Sequence, residues 1–318
     1  MNLKTILREI KKHKVFLITT HVNPDIDGLA CELAMALYLK SQGKEAHVVN
    51  EGKVLRMHKF LPHVGLIKTA RRSMNYDAVI VLDCGDFGRI GSVKKVIRKG
   101  KLIINIDHHV TNDRFGDLNL IHTRASSTAE IIFDLLKEAK CRLTKPMVTL
   151  LYLGIMTDTG SFRYDNTTAH THDVVARLMK YRFSPARLYQ QIYETATLND
   201  LKMFIRLIRH FHISHNGKVA TINLSRNILN RFSGGFDLRD KIFSFLRAIK
   251  GVEAIAIFTE DKDDLTRINF RSQGKTDVAR LAFMFNGGGH KKASGCSIKG
   301  NMKEARSQVF AKLGKILK

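Results

Sequence analysis

The segment His21-Val-Asn-Pro-Asp25-Ile-Asp27-Gly28 puts one imidazole and two carboxylates within seven residues. Pro24 and Gly28 bound a tight loop that can aim all three groups into one space. Asp83 ends the apolar run AVIVLD, with Asp86 just beyond it, and Asp107-His108-His109 close the run IINID. Asp158 follows the apolar segment LLYLGIMT and precedes Thr159-Gly160-Ser161. An acid at the end of a buried apolar element is costly unless it is capped, paired or bound to a metal. A helix N-cap is the competing explanation, and Asp27 ahead of LACELA would serve as one. That explains one acid and leaves the rest of the set unexplained, so the pattern predicts a metal site.

The ligand types narrow the metal. Imidazole and carboxylate without thiolate suit Mn²⁺, Fe²⁺, Co²⁺ or Zn²⁺, whereas Mg²⁺ alone rarely recruits histidine. Six ligands exceed the needs of one catalytic ion with open positions. They suit two divalent ions sharing a carboxylate roughly 3.5–4 Å apart, which lower the pKa of a bridging water and clamp a phosphoryl oxygen. No side-chain nucleophile is then required. Cys84 lies beside these residues, but no adjacent basic group marks it as one.

The elements that must position these residues can be read from periodicity. VFLITTH (15–21) is strand-like, and LACELAMALYLKSQG has the spacing of a buried helix ending at Gly43. EAHVVNEG, DAVIVLDCGD and KLIINIDHH read as further strands, VKKVIRKG as a helical turn stopped by Gly100, and SSTAEIIFDLLKEAK as a capped helix. This rhythm predicts a doubly wound parallel α/β sheet, whose ligands bind at the carboxyl ends of the strands. Residues 172–212 read as helical. From about 216 the pattern restarts: KVATINLS as a strand, DLRDKIFSFLRAIKG as a helix, VEAIAIFTE and LTRINFRSQ as strands joined across DKDD, DVARLAFMFN as a helix, and a basic helix at the end. That is a smaller mixed α+β domain. The boundaries read as 1–185, a helical connector over 186–215, and 216–318.

The composition is that of a globular chain. Of 318 residues, 44% are hydrophobic and 26% charged, which excludes collagen, coiled coil and disorder. The apolar runs are far short of the ~20 residues a transmembrane helix needs, so no membrane role is expected. The basic first residues run straight into a strand-like segment and read as an ordinary first helix rather than a signal peptide. Lys and Arg number 53 against 29 Asp and Glu, a net charge of +24 that favours polyanionic partners, while a merely solvated basic surface accounts for it equally well. The four cysteines, at 31, 84, 141 and 296, form no CxxC pair, which points to a reducing cytoplasmic compartment.

Two features of the second half extend the chemistry. Gly287-Gly288-Gly289 can bring backbone N–H groups close to an anion or a base, although a plain turn is the simpler explanation of an isolated triple glycine. His290, Lys291, Lys292 and Ser294 beside it favour a ligand surface. Arg271-Ser272, at the end of LTRINF, forms a candidate phosphate clamp, since guanidinium matches phosphate in two-point contacts.

HxNPDxD, the strand-end Asp83, the Asp107-His108-His109 triplet and the distal GGGHKKASG, in that order, resemble the DHH–DHHA1 phosphoesterase superfamily. Spacing and layout are most similar to its bacterial branch of bifunctional oligoribonucleases and pAp phosphatases. The resemblance implies that His21, Asp25 and Asp83 hold one metal, that Asp27, Asp83, His108 and Asp158 hold a second, and that Asp83 bridges them. It implies that His109 faces the scissile phosphate, that Asp107 supports the histidines, and that the metal is Mn²⁺. It also implies that the second domain grips the nucleotide through Arg271, Gly288, Gly289 and His290. Asn286 stands where the family often has a further glycine. Ser126-Ser127-Thr128 match a family motif near the active site, and helix capping explains them equally well.

The resemblance thus implies a hydrolase that degrades very short RNA to mononucleotides and 3′-phosphoadenosine 5′-phosphate (pAp) to AMP and phosphate, with room for a homodimer. Within the enzyme class the alternative is a phosphodiesterase preferring linear or cyclic dinucleotides such as pApA and pGpG. A pyrophosphatase usually lacks this style of glycine loop, and a long-strand exonuclease usually carries extra domains. Outside that class stands a nucleic-acid-binding protein with a structural metal, a role for which closed sites usually recruit cysteine.

Overall fold

The computed structural model describes residues 2–70, 74–233, 236–261, 264–314 and 316–317, and describes His290 by its backbone only. The chain divides into two compact units, Met1–Ile192 and Tyr193–Lys318. No described helix is long and apolar enough to cross a membrane.

In chain order the first unit contains α1 (Leu3–Lys12), β1 (Val15–Thr19), α2 (Ile26–Ser41), β2 (Glu45–Asn50), β3 (Ile67–Thr69), β4 (Ala78–Leu82), β5 (Leu102–Asp107), β6 (Leu118–Ile121), α3 (Thr128–Glu138), α4 (Lys145–Asp158), α5 (Ala169–Met179) and α6 (Pro185–Tyr193). Its sheet order is β3-β2-β1-β4-β5-β6, and every pairing is parallel. This is the expected doubly wound sheet. β4 is buried along its whole length, as a parallel strand covered on both faces must be, which is why it reads as an unbroken apolar run. α2 and α4 are apolar on nearly every side because they pack against each other as well as on neighbouring elements.

Two local expectations are corrected. The helix predicted from Leu29 begins at Ile26, and its N-cap is Asp25, whose side chain accepts from Gly28 N at 3.2 Å. Asp27 therefore sits in the first turn rather than at the cap. The turn predicted over Val93–Gly100 is instead 3₁₀ helix over Phe87–Lys95, capped by Asp86.

The second unit contains α7 (Leu198–Ile208), β7 (His212–Ser214), β8 (Val219–Leu224), α8 (Arg226–Leu229), α9 (Leu238–Arg247), β9 (Ala254–Glu260), β10 (Leu265–Ser272), α10 (Val278–Phe283), β11 (Gly288–His290), β12 (Ala293–Lys299) and α11 (Met302–Leu313). Its sheet order is β11-β12-β10-β9-β8-β7, with β8 and β9 parallel and the other pairs antiparallel. Side chains alternate across a strand. Ala254, Ala256 and Phe258 accordingly enter one core with α10 and α11, while Ile255 and Ile257 enter another with α7 and α9. β12, absent from the sequence reading, supplies the strand that joins the glycine run to β10.

Candidate metal centre and substrate surface

Five elements, three strands at the parallel sheet's carboxyl rim and two helices, bring the predicted ligands together. His21 leaves β1, Asp25 and Asp27 open α2, Asp83 follows β4, His108 and His109 follow β5, and Asp158 ends α4. Among the described residues, three groupings have ligand atoms within 4.8 Å of one another: His21 with Asp25 and Asp83, Asp27 with His108 and Asp158, and Asp83 with His108 and His109. Asp83 is the hinge of the set. Its Oδ2 lies 3.7 Å from His21 Nε2 and its Oδ1 lies 3.7 Å from His108 Nε2, so its two oxygens face different histidines. His108 Nε2 also lies 3.3 Å from Asp158 Oδ2.

Local structure explains this geometry. Asp83 adopts a left-handed backbone at φ 52, a conformation that Asp tolerates better than most residues, and this turns the chain sharply as β4 ends. Gly28 admits the approach of α2: a Cβ there would lie 2.7 Å from Thr20 Oγ1 and 3.3 Å from Asp83 Oδ2. Asp27 is 1% exposed, and the amino end of α3 holds it, with Thr128 N donating to Oδ2 at 2.8 Å and Ala129 N to Oδ1 at 3.1 Å. Thr128 Oγ1 donates to Asp83 Oδ1 at 2.9 Å.

The electrostatics fit a cation. Burial, then repulsion from Asp83 and Asp158, pushes the Asp27 carboxyl well above its ordinary range. Burial, then Asp25 and Asp83, does the same to Asp158. Burial would raise Asp83 too, but His21, His108 and His109 together hold it well below the usual range. Carboxylates crowded to this degree repel one another, and a divalent ion relieves that repulsion. The donor set is imidazole and carboxylate alone, as Mn²⁺ and its neighbours prefer. Cys84 is no competitor for the chemistry, because burial pushes its thiol up to about 12.

His109 occupies a different position. Its Nδ1 lies 2.6 Å from Asp107 Oδ1 and 3.8 Å from Asp83 Oδ1. Burial opposes its protonation, yet Asp107 and then Asp83 outweigh burial and raise it to about 9. Asp107 is fully buried and also accepts from Asn112 Nδ2 at 2.6 Å. Asn112 Nδ2 further reaches Asn105 Oδ1 at 2.8 Å. The sequence reading passed over both asparagines. The signal available was a buried asparagine inside the strand IINID and a second one five residues past Asp107. Gly154 was passed over as well: a Cβ there would collide with Asp27 Oδ1 and lie 2.6 Å from Ala129 Cβ. Its only signature is a glycine inside an otherwise apolar helix.

Ser126 and Ser127 are both fully buried. Ser127 Oγ caps α3 by accepting from Glu130 N at 3.1 Å, and Ser126 Oγ donates to Glu130 Oε2 at 2.6 Å. They shape the helix end that grips Asp27.

In the second unit, the register aligns Arg271 with Ala293 and His290, and Asn269 with Gly295 and Gly288. The Arg271 guanidinium stacks 4.8 Å from the Phe243 ring centroid. Ser272 is 5% exposed, and its Oγ lies within donating distance of the carbonyls of Thr276 and Lys291, at 2.8 and 3.1 Å, so it ties β10 to the segment beside the glycine run. Gly287 is packed: a Cβ there would meet Gly295 O and Cys296 Cβ. Gly289, at φ 132, needs glycine for its backbone. Gly288 faces open space, so a ligand can approach its main chain. The His290 side chain lies outside the described residues.

Fold and site together define a class: a two-unit α/β chain whose doubly wound sheet gathers imidazoles and carboxylates suited to divalent metal. The model of the DHH family, N-terminal domain, matches residues 15–155, and that of the DHHA1 domain matches residues 238–317. The chain belongs to the DHH family, as its motifs imply. It is 31% identical to the Bifunctional oligoribonuclease and PAP phosphatase NrnA of Bacillus subtilis (strain 168), with 92% of each chain covered. It is 32% identical to the Probable bifunctional oligoribonuclease and PAP phosphatase NrnA of Streptococcus mutans, covering 92% of this chain and 93% of that one. Among solved structures, an exopolyphosphatase-related protein from Bacteroides fragilis superposes with a TM-score of 0.88 at 26% identity, covering 98% of this chain and 94% of that one.

Proposed function

We propose that this chain is a metal-dependent phosphoesterase that hydrolyses very short oligoribonucleotides to mononucleotides and pAp to AMP and phosphate. The observation that carries the reading is Asp83, whose two oxygens face two different histidine–carboxylate groups. Relatives named as oligoribonuclease and PAP phosphatase match over nearly the whole length, which supports the choice of substrates.

In this reading the catalytic domain is residues 1–185, the helical connector 186–215 and the nucleotide-gripping domain 216–318. His21, Asp25 and Asp83 hold one divalent ion, Asp27, Asp83, His108 and Asp158 hold the other, and the ions are Mn²⁺. Bound there, the pair supplies positive charge that lowers the pKa of a water and stabilises phosphoryl oxygens. His109 presents its Nε2 proton to a phosphoryl oxygen or to the leaving oxygen. Asp107 accepts from its Nδ1 and fixes the orientation of the ring. Arg271 and the main chain at Gly288 and Gly289 bind and orient the nucleotide, and His290 lies in the same row. Ser126 and Ser127 act on Asp27 through the end of α3. The four cysteines are unpaired, which supports a cytoplasmic setting.

The test is Mn²⁺-dependent release of mononucleotide from a labelled RNA dimer and of phosphate from pAp. Asp83→Ala should abolish both with the fold retained. Normal turnover by that variant would overturn the bridging role.

A further inference from the structure

On one face of the parallel sheet, Leu17 of β1 and Val79 and Val81 of β4 share a core with Ile90 and Val93 of the 3₁₀ segment Phe87–Lys95. A groove of about 670 Å³ runs along that segment and the chain that leads from it into β5. Four cations, Lys94, Arg98, Lys99 and Lys101, line it against one acid, Asp117. The rest of its lining is apolar or glycine and includes Phe87 and Ile97. The groove reaches Leu102, at the amino end of β5, about 17 Å along the strand from Asp107. No residue of the metal cluster lines it.

The basic segment is held in place. Tyr76 is 3% exposed, and its hydroxyl donates to Val96 O and accepts from Arg98 N, both at 2.7 Å. The Arg98 guanidinium and the Lys101 ammonium each lie 5.9 Å from the Tyr76 ring centroid. Arg98 Nη2 also donates to Met74 O at 2.8 Å. The acids nearby are turned into the main chain. Asp117 Oδ2 accepts from Ile103 N at 2.8 Å. Outside the lining, the Glu51 carboxylate accepts from Ser92 N, and Asp77 Oδ2 accepts from Lys14 N and Val15 N, both at 2.9 Å. Among the described residues none of the four cations is in an ion pair.

Fixed cations without acidic partners, set beside an apolar wall, match a polyanion that also carries flat apolar groups. Single-stranded RNA is such a ligand: its phosphates meet the cations while its bases pack on aromatic and aliphatic side chains. A recessed groove also suits a strand better than it suits a lipid surface. We infer that this groove is an exosite for single-stranded RNA, which holds the backbone through Lys94, Arg98, Lys99 and Lys101 and packs a base on Phe87 and Ile97. The site lies in the first unit alone, and its binding needs neither metal nor hydrolysis.

The test is fluorescence anisotropy of a labelled RNA strand of about 20 nucleotides, with EDTA present and salt varied from roughly 50 to 200 mM. Lys94→Gln combined with Lys99→Gln removes two exposed charges and leaves Arg98 and Lys101 on Tyr76. Binding at ~50 mM salt should weaken about tenfold, and the slope of log K against log salt should shrink by roughly 1.4, about 0.7 for each lost phosphate contact. The control pair, Lys137→Gln with Lys145→Gln, removes the same charge from exposed positions on α3 and α4 and should leave the slope unchanged. An unchanged Tm shows that both variants are folded. Unchanged binding by the groove variant, or an equal loss in both pairs, would overturn the exosite. Loss of binding to phosphatidylserine vesicles with RNA binding intact would overturn it in favour of a membrane surface. Wild-type protein that cleaves an RNA dimer with Mn²⁺ yet does not hold the long strand would overturn the exosite and leave the phosphoesterase reading standing.

Discussion

Oδ1 of Asp107 lies 2.6 Å from Nδ1 of His109, at the end of a buried chain that runs from Asn105 through Asn112. This contact commits one imidazole nitrogen, Nδ1, to the protein. Asp107→Asn removes the carboxylate whose hydrogen bond, against burial, does most to raise His109 to about 9. In metal-free protein, His109 should therefore titrate at lower pH in the variant than in the wild type, as read from its ring ¹⁵N shifts. With Mn²⁺, kcat should fall roughly 10- to 100-fold, in the range of general acid–base contributions. An unshifted His109 titration would contradict the support role of Asp107.

Gly154 sets the distance between α4 and the Asp27 carboxylate. Gly154→Ala places a methyl group against Asp27 Oδ1 and Ala129 Cβ. Overpacking of this kind costs about 1–3 kcal/mol. A lower Tm and weaker Mn²⁺ binding by titration calorimetry are expected together. A variant with wild-type metal affinity would mean that α4 can shift without moving Asp27.

Asp200 joins two parts of the second unit. It accepts from Thr197 N and Oγ1 at 2.9 and 2.7 Å, and from Ser233 N and Oγ at 2.8 and 2.7 Å. Burial raises its carboxyl, but these bonds outweigh burial and hold it well below the ordinary range. A depressed folded-state pKa stabilises the fold above the unfolded value of ~3.9, and that contribution is lost as pH falls toward the folded value. Asp200→Asn should lower the urea midpoint at pH 7, and the gap from wild type should narrow as pH drops below about 4. A gap that is constant with pH would contradict this.

Arg271 is predicted to bind substrate rather than transform it. Arg271→Ala should raise KM for pAp about tenfold and lower kcat much less, the pattern of uniform binding. A steady-state comparison decides this, and an unchanged KM would remove Arg271 from the substrate surface.

Much of the catalytic rim is legible in the chain because charge at the end of an apolar run has few physical excuses. The parallel strands β1, β4 and β5 are legible for the same reason that they are largely buried: both faces need apolar side chains. What escapes is what depends on distant partners. β12 reads ASGCSIK, poor in strand-favouring residues, and becomes a strand because β10 pairs with it along Arg271–Leu265. β6 is only four residues long. Residues 172–212, read as helical, break into α5, α6 and α7, with His212 already starting β7. Gly154 and Asn112 matter through Asp27 and Asp107, contacts that sequence spacing does not reveal. The cap at Asp25 escaped because Asp27 satisfies the same pattern two residues later.

The claim on which the account depends is that Asp83 joins two cations. Anomalous diffraction from crystals soaked in Mn²⁺ tests it directly. The account predicts two peaks roughly 3.5–4 Å apart, each bonded to a different oxygen of Asp83. A single peak, or a pair of ions that Asp83 does not touch, would contradict it.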